Sequence, residues 1–256
     1  MLKDTVFAAT EVGRLTGRKS LSGAVVTPDL VRAVISRNPE FQRLDGILVG
    51  LAETCLNPAG RDAVQVIGIC SAVKGEGKTT VALGLATALA RRGDSEVLLI
   101  EGDLASPTMA EDLNQNQTAG LVECLRLEEA LEDAIKPAPI QHLSLITAGQ
   151  ASEDPISTVG NSNLRELLRA LRSRFRYILL DMPAILEREE AGRLVELVDG
   201  VILVVAAGKV SKEVTESGVA AIGRDKLMGV VLNRARTAAP VWLSRIISSD
   251  GATPVS

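Results

Sequence analysis

The chain has 256 residues, of which 46% are hydrophobic, 23% charged and only 2% aromatic, and its formal net charge is −4. This size and aliphatic content suffice for one α/β domain with a full core, and they exclude disorder as the main state. The acidic balance and the scarcity of rings exclude a non-specific nucleic-acid binder and a base-stacking platform, so no nucleic-acid partner is expected.

The cysteines and the hydropathy pattern indicate a cytoplasmic protein. Cys55, Cys70 and Cys124 are widely spaced and form no C-x-x-C pair, which disfavours a disulfide framework or a zinc site. The apolar stretches have the length of strands, which is much shorter than the roughly 20 residues needed to cross a bilayer. The first ten residues do not have the pattern of a signal peptide. We therefore expect no transmembrane segment, and membrane contact only through a partner or a terminal segment.

The chain divides into four predicted parts. Residues 1–27 are mixed and polar and predict a flexible tail. Residues 28–60 predict helices that pack on the core, because Pro28 suits a first helical position and apolar residues recur at helical spacing. Residues 61–236 predict the main domain, and residues 237–256 a C-terminal tail.

Strands alternate with helices throughout the predicted main domain. The predicted strands are Val64–Ser71, Glu96–Glu101, Leu143–Thr147, Arg176–Asp181, Gly200–Ala206 and Leu227–Asn233. The predicted helices are Thr79–Arg91, Leu121–Ala134 in two pieces, Leu164–Arg174, Glu187–Val198 and Ser211–Ile222. The strands are near-continuous apolar runs, which is typical of strands buried on both faces. The fold class is therefore α/β: a three-layer domain with a mostly parallel twisted sheet between helices.

A glycine-rich loop between the first predicted strand and helix predicts a phosphate site. Glycines in such a loop let successive N–H groups turn toward phosphate oxygens, and the following helix adds its positive end. Lys78 would reach the β- and γ-phosphates, and the Thr79 hydroxyl would hold Mg²⁺. Ala72 replaces the first glycine of the P-loop pattern, and a chance Gly-Lys turn is the alternative. The predicted phosphate-binding residues are Lys74, Gly75, Glu76, Gly77, Lys78, Thr79 and Thr80.

Acids at the carboxyl ends of two other predicted strands extend this site. Asp181 ends an apolar strand, where ligands of open α/β sheets bind, and it can hold Mg²⁺. Glu101 and Asp103 follow the second strand on alternate residues, so both can point to one side and bind metal or activate an acceptor. A strand-capping role for Asp181 and pairing of Glu101 and Asp103 with surface lysines remain the alternatives.

These three elements, in this order, resemble those of the bacterial tyrosine kinase family, within the wider MinD/ParA-type ATPases. Ser71–Thr80 is similar to the family's phosphate loop, Glu101–Pro107 to its second acidic motif (Asp-x-Asp-Leu-Arg-x-Pro), and Asp181–Pro183 to its Asp-x-Pro ending. The resemblance covers roughly residues 36–236 and implies a P-loop NTPase fold. Its known members are cytoplasmic and act with membrane chain-length regulators in capsule and exopolysaccharide synthesis.

The resemblance also implies cofactors, roles and partners. The cofactors would be ATP and Mg²⁺, with Thr79, Asp103 and Asp181 as metal ligands and Lys78 on the transferred phosphate. Glu101 would be the base for a tyrosyl hydroxyl, and Asn233 would contact adenine. The partner would be a membrane polysaccharide chain-length regulator or export protein, which would recruit this chain to the inner face of the membrane. Assembly into a homo-oligomer is left open.

Several residues depart from the family's pattern. Glu101 is one methylene longer than the family's aspartate, and Ala105 stands where an arginine is usual. Lys74 is one position late for the signature lysine of MinD/ParA loops and is expected to be a solvated loop lysine. The family autophosphorylates a C-terminal tyrosine cluster, whereas the printed sequence has one tyrosine, Tyr177, in a predicted buried strand. Autophosphorylation of a cluster is therefore not expected within these residues.

Two functions follow as hypotheses, with a third kept beside them. The first is an ATP-dependent phosphotransferase, of the tyrosine kinase type or reduced to its ATPase core, that regulates exopolysaccharide or capsule synthesis and export. The second is a non-kinase ATP-dependent switch that controls a polysaccharide-assembly partner. The third is an adaptor that has lost turnover, which the intact Lys78, Thr79 and Asp181 disfavour, because an idle site needs no such charge balance.

Overall fold

The computed structural model describes residues 65–113, 119–127, 130–150, 152–160 and 162–233. The predicted tails, 1–27 and 237–256, and the predicted helices of 28–60 lie outside the described residues. The structure therefore bears on the predicted main domain.

A seven-stranded sheet forms the centre of the described part of the chain, in the order β3-β4-β2-β5-β1-β6-β7. Neighbouring strands run parallel except for the pair β3 and β4 at one edge. The six predicted strands are confirmed, and their ends differ from the prediction by no more than one residue. The strands are β1 Gln65–Ser71, β2 Val97–Glu101, β3 Lys136–Pro137, β4 Leu143–Ile146, β5 Tyr177–Asp181, β6 Gly200–Ala206 and β7 Leu227–Asn233.

Helices connect these strands, and the longer ones match the predicted segments. The helix predicted over Leu164–Arg174 starts at Ser162 and ends at Leu171, after which the chain turns toward β5. The short helices α2 and α5, like strand β3, were not predicted. The helices are α1 Lys78–Arg91, α2 Met109–Asp112, α3 Leu121–Leu125, α4 Leu131–Ala134, α5 Pro155–Gly160, α6 Ser162–Leu171, α7 Glu189–Leu197 and α8 Lys212–Ile222.

Apolar side chains on both faces of the sheet form the core, as the near-continuous apolar strands predict. Successive strand residues point to opposite faces, so each strand feeds two separate clusters. One cluster packs β-strand residues such as Val66, Leu98 and Ile178 against α6, α7 and α8. The other packs Ile67, Leu99 and Leu179 against α1. The three-layer α/β prediction is confirmed.

Helix α1 lies deep in this second cluster and directly follows the glycine-rich loop. Every residue from Val81 to Ala90 is buried, and most of them are alanine, glycine, leucine or valine. The small side chains let the helix approach the sheet closely, and burial of its apolar surface fixes the position of its first turn.

The strand order brings three predicted site segments to one edge of the sheet. Strand β5 lies between β1 and β2, and Asp181 pairs in register with Ile69 of β1 and with Glu101 of β2. Because parallel strands end at the same edge, the loops that follow β1, β2 and β5 meet there. Within the part of the chain that the structure describes, no helix is long and apolar enough to cross a bilayer.

Candidate active site

The glycine-rich loop curls between β1 and α1, where the sequence predicts it. Gly75 and Gly77 have φ angles of +83° and +93°. Residues other than glycine adopt backbone angles in this region only at an energetic cost. Gly77 is the residue that precedes the first turn of α1. The backbone therefore takes a left-handed conformation at two positions before the helix starts, a geometry that can turn N–H groups toward an anion.

Replacing Gly77 by alanine is expected to distort this loop by more than backbone strain alone. An added Cβ would collide with the Asn233 side-chain amide, in addition to the unfavourable φ. Gly93→Ala is the matched control, since Gly93 has a φ of +72° but nothing within 4 Å of the added Cβ. We expect about 1 kcal/mol of destabilisation for the control and a larger loss for Gly77→Ala, measured by thermal denaturation. Equal losses would contradict the collision.

Lys78 points from the start of α1 into the acids of the neighbouring strands. Its Nζ lies 3.0 Å from Asp103 Oδ2 and 3.9 Å from Asp181 Oδ1. Burial disfavours the charged ammonium, but the two carboxylates outweigh burial and raise the pKa of Lys78. The lysine is therefore a fixed cation held at the mouth of the loop.

Asp181 is a buried carboxyl with unused bonding capacity. Burial raises its pKa to about 6, although Lys78 and a hydrogen bond with the Thr79 side chain oppose that rise. Its Oδ1 is buried and has no hydrogen-bond partner. A carboxylate oxygen that accepts no hydrogen bond, close to a threonine hydroxyl, suits Mg²⁺, which prefers hard oxygen ligands.

The residues at this edge fit a magnesium–nucleotide complex better than a free-standing metal site. Within the described ranges, no group of three or more His, Cys, Asp or Glu residues could hold a metal ion by itself. Phosphate oxygens and water would have to complete the ligand shell, as is usual for Mg²⁺ in phosphoryl-transfer sites. Asp103 is held in place by the Ser106 N–H, which donates to its Oδ1 at 3.2 Å.

Glu101 lies next to the site, but both of its carboxylate oxygens already accept hydrogen bonds from main-chain N–H groups. Oε1 accepts the N–H groups of Thr108 and Met109 at 2.6 and 2.7 Å, and Oε2 accepts that of Ala148 at 2.9 Å. The residue is 1% exposed, and burial raises its pKa despite these bonds. The expected roles of catalytic base and metal ligand stay predictions, while the contacts give Glu101 a positioning role for the loop after β2.

Other predicted binding residues lie along or beneath the phosphate loop. Lys74 is exposed, as expected of a solvated loop lysine, and Thr80 lies in the first turn of α1. Glu76 is fully buried, which the loop motif alone does not predict. Asn233 is also fully buried, and its Nδ2 donates to the Glu76 carbonyl at 2.7 Å. Its predicted adenine contact stays untested.

The sequence reasoning assigned no task to two residues that contact the phosphate loop or its buried glutamate. Ala206, at the end of β6, donates its N–H to Glu76 Oε1, and Lys209, in the next turn, donates from Nζ to the Lys74 carbonyl. Both contacts join positions about 130 residues apart in sequence. Lys209 lies in Ala207-Gly208-Lys209, a short stretch that also resembles the bacterial tyrosine kinase pattern, but that resemblance assigns it no task. The contacts with the loop follow from the strand order, which places the end of β6 beside β1.

The glycine-rich loop, the half-buried lysine at the start of its helix and the two acids beside that lysine define the class: a P-loop nucleotide-binding domain. The family model AAA_31, described as an AAA domain, matches residues 64–222. Tyrosine-protein kinase YwqD of Bacillus subtilis (strain 168) is 32% identical over 172 residues, which cover 66% of this chain and 72% of the relative. The chain belongs to the AAA-domain family and, within it, to the bacterial tyrosine-protein kinases.

Two further similarities extend the comparison. The succinoglycan biosynthesis transport protein ExoP of Rhizobium meliloti (strain 1021) is 29% identical over 212 residues, which cover 76% of this chain but 27% of ExoP. The solved kinase domain of VpsO has 29% identity and a TM-score of 0.69, and the match covers 76% of this chain and 96% of that domain. The expected family is thereby confirmed.

Proposed function

We propose that this protein transfers the γ-phosphoryl group of ATP to tyrosine residues of other proteins, with Mg²⁺ as the second cofactor. The observation that carries the proposal is the meeting of Lys78, Asp103 and Asp181 at the glycine-rich loop. Phosphoryl transfer needs little covalent chemistry from the protein and depends on positioning and on charge stabilisation. A fixed cation beside two acids meets that need.

Each residue has a role that its surroundings support. The loop from Lys74 to Gly77 would cradle the phosphates with main-chain N–H groups, and Lys78 would balance negative charge on the transferring group. Thr79, Asp103 and Asp181 would hold Mg²⁺ directly or through water. When bound, Mg²⁺–ATP supplies the phosphoryl group and neutralises charge on its oxygens. The Oδ1 atom of Asp181, which accepts no hydrogen bond, supports this assignment.

The acceptor must come from outside this chain's described core. Tyr177 is half-buried at the start of β5, whereas Asp181 lies at the other end of that strand. Four residues of extended chain separate them by about 13 Å. Tyr177 therefore cannot reach the phosphoryl group of its own site. A tyrosine on another protein molecule is the substrate that this geometry leaves.

We also propose a role in polysaccharide assembly at the membrane. ExoP, a relative over 76% of this chain, is named for succinoglycan biosynthesis and transport. The family resemblance implies a membrane chain-length regulator or export protein as partner. Such a partner would bring the chain to the inner face of the membrane and activate it or present the acceptor tyrosine.

The kinase proposal is tested by incubating the purified full chain with γ-labelled ATP, Mg²⁺ and a tyrosine-bearing acceptor. We expect label on tyrosine from the wild-type protein and none from Lys78→Met, because methionine keeps the packing but lacks the cation. Lys212→Met is the matched control: Lys212 forms an exposed pair with Glu216 on α8. Absence of Lys78-dependent label on tyrosine would overturn the kinase proposal.

An ATP-dependent switch is the second candidate, and two observations favour it. Ala105 offers no side-chain cation to the acidic loop, and the printed sequence has a single tyrosine, Tyr177. In this case ATP binding would change the contacts with a polysaccharide-assembly partner, and slow hydrolysis would reset them. Dimerisation or partner capture that depends on ATP, without phosphate on tyrosine, would favour the switch over the kinase.

A further inference from the structure

The phosphate loop is tied to the neighbouring strands through two of its own carbonyl groups. The Lys74 carbonyl accepts a hydrogen bond from Lys209 Nζ at 2.8 Å, and the Glu76 carbonyl accepts one from Asn233 Nδ2 at 2.7 Å. Lys209 follows β6 and Asn233 ends β7. Two side chains, from the ends of the neighbouring strands β6 and β7, therefore bond to main-chain carbonyl groups of the loop.

We call these two hydrogen bonds the tethers of the loop. They control the direction of the loop's N–H groups. In a trans peptide the carbonyl and the following N–H point in opposite directions, and no described peptide is cis. A carbonyl of Lys74 that is held toward Lys209 turns the N–H of Gly75 away from Lys209. The Glu76 carbonyl does the same for the N–H of Gly77. Glycine at both positions gives the backbone the positive φ that this alternation requires.

The Glu76 side chain reinforces the same arrangement from within. Its carboxylate is fully buried and accepts the N–H of Val73 at 2.9 Å and that of Ala206 at 3.0 Å. The positive charge of Lys209 acts on this carboxylate. Lys209 thus binds the loop twice, through a main-chain carbonyl and through its attraction to the buried acid.

We propose that Lys209 is a positioning residue for nucleotide binding, which holds the phosphate loop in its receptive shape through the Lys74 carbonyl and does not contact the γ-phosphate. The inference rests on the proposed binding of ATP at this loop. A loop that is already shaped before the ligand arrives loses less conformational freedom on binding. Lys209 therefore contributes to affinity for any nucleotide that places its β-phosphate in the loop.

Lys209 is exposed, but its contacts with the loop support a positioning role. Its ammonium passes so close to Gly75 that a Cβ there would collide with Nζ. The absence of a side chain at Gly75 is thus a requirement of the tether as well as of the backbone angle. A lysine that served the γ-phosphate directly would need no such bond to a carbonyl of the loop.

The test compares the affinities for ADP and for a non-hydrolysable ATP analogue, both with Mg²⁺, by calorimetry on the full chain. We expect Lys209→Met to weaken both nucleotides by a similar factor, about tenfold, equal to the loss of about 1.4 kcal/mol of binding free energy. Lys209→Arg should recover most of the affinity, because a guanidinium also donates to a carbonyl. Lys212→Met, the exposed control on α8, should change neither affinity more than about twofold.

Each other outcome overturns the inference. Unchanged affinities in Lys209→Met, with a wild-type protein that binds both nucleotides, would remove the tether while leaving the proposed function intact. A loss confined to the ATP analogue would show direct contact with the γ-phosphate. A wild-type protein that binds neither nucleotide would remove the proposed function together with the inference. Thermal denaturation of each variant separates these results from unfolding.

Discussion

Asp181→Asn is expected to reduce magnesium-dependent phosphotransfer by about 10³-fold, because a catalytic cation supplies several kcal/mol of charge stabilisation that a neutral amide holds poorly. The same change is expected to stabilise the nucleotide-free fold above pH 7. Asp181 is buried, its Oδ1 has no hydrogen-bond partner, and burial raises its pKa to about 6. Its ionised form is therefore unfavourable in the protein without ligand.

The direction of the pH dependence follows from the raised pKa. A carboxyl whose folded pKa lies above its unfolded value of 3.8 favours folding most below pH 3.8, and that contribution is lost as the pH rises through 6. At pH 8 an uncharged asparagine avoids this loss, which is worth about 3 kcal/mol at most. The advantage of Asp181→Asn should shrink as the pH falls below 6, be small at pH 4, and vanish below pH 3.8, where the carboxyl is protonated in both the folded and the unfolded state.

Chemical denaturation without nucleotide at pH 8 and pH 4 checks the stability half of this prediction, and labelled phosphate transfer checks the other. Asp94→Asn is the matched control, since Asp94 forms an exposed pair with Arg92 at 3.5 Å. Removal of a surface pair of this kind changes stability by at most about 1 kcal/mol. Destabilisation by Asp181→Asn at pH 8 would contradict the view that a ligand-binding acid is held there under electrostatic strain.

Sequence reasoning performs well for β1, β2 and β5 because each is a continuous apolar run that ends in a polar or acidic residue. Burial on both faces leaves little room for polar side chains, so pattern and structure coincide. Sequence reasoning does not predict some of the shortest elements, because they contain too few residues to form a pattern. Strand β3 has two residues, and helices α2 and α5 have four and six, which are too few to establish a periodicity.

The residues of the candidate site likewise fall into those that the local sequence predicts and those that it does not. Lys78, Thr79 and Asp181 belong to local motifs whose chemistry is readable from neighbouring residues, and the structure brings them together. The tasks of Glu76 and Lys209 depend on partners that are far away in the chain, such as Ala206 and the Lys74 carbonyl. No spacing rule in one sequence encodes a contact between two loops whose proximity arises only from the order of strands in a sheet.

Glu101 is the case in which a motif and a structure point to different tasks. The motif predicts a base for the acceptor hydroxyl, whereas the contacts engage Oε1 with Thr108 and Met109 and Oε2 with Ala148. We therefore infer that Glu101 positions the loop that carries Asp103. Its loss should lower the stability of the fold, and reduce phosphotransfer as a consequence.

Glu101→Ala is expected to destabilise the protein by about 3 to 5 kcal/mol, because three main-chain N–H groups lose their acceptor and a cavity is left. Glu101→Gln should cost less, about 1 to 3 kcal/mol, since its oxygen keeps one side of the network and its amide opposes the N–H on the other. Thermal and chemical denaturation measure both. Glu111→Gln is the control, because Glu111 is exposed on the adjacent helix α2.

A catalytic base would give a different pattern. Its loss in Glu101→Gln would abolish transfer to tyrosine while ATP hydrolysis and the denaturation midpoint stayed at wild-type values. A positioning residue instead lowers the midpoint and reduces transfer and hydrolysis together, because Asp103 and the end of β2 shift in both reactions. Unchanged stability with selective loss of tyrosine transfer would therefore restore the base and reject the positioning role.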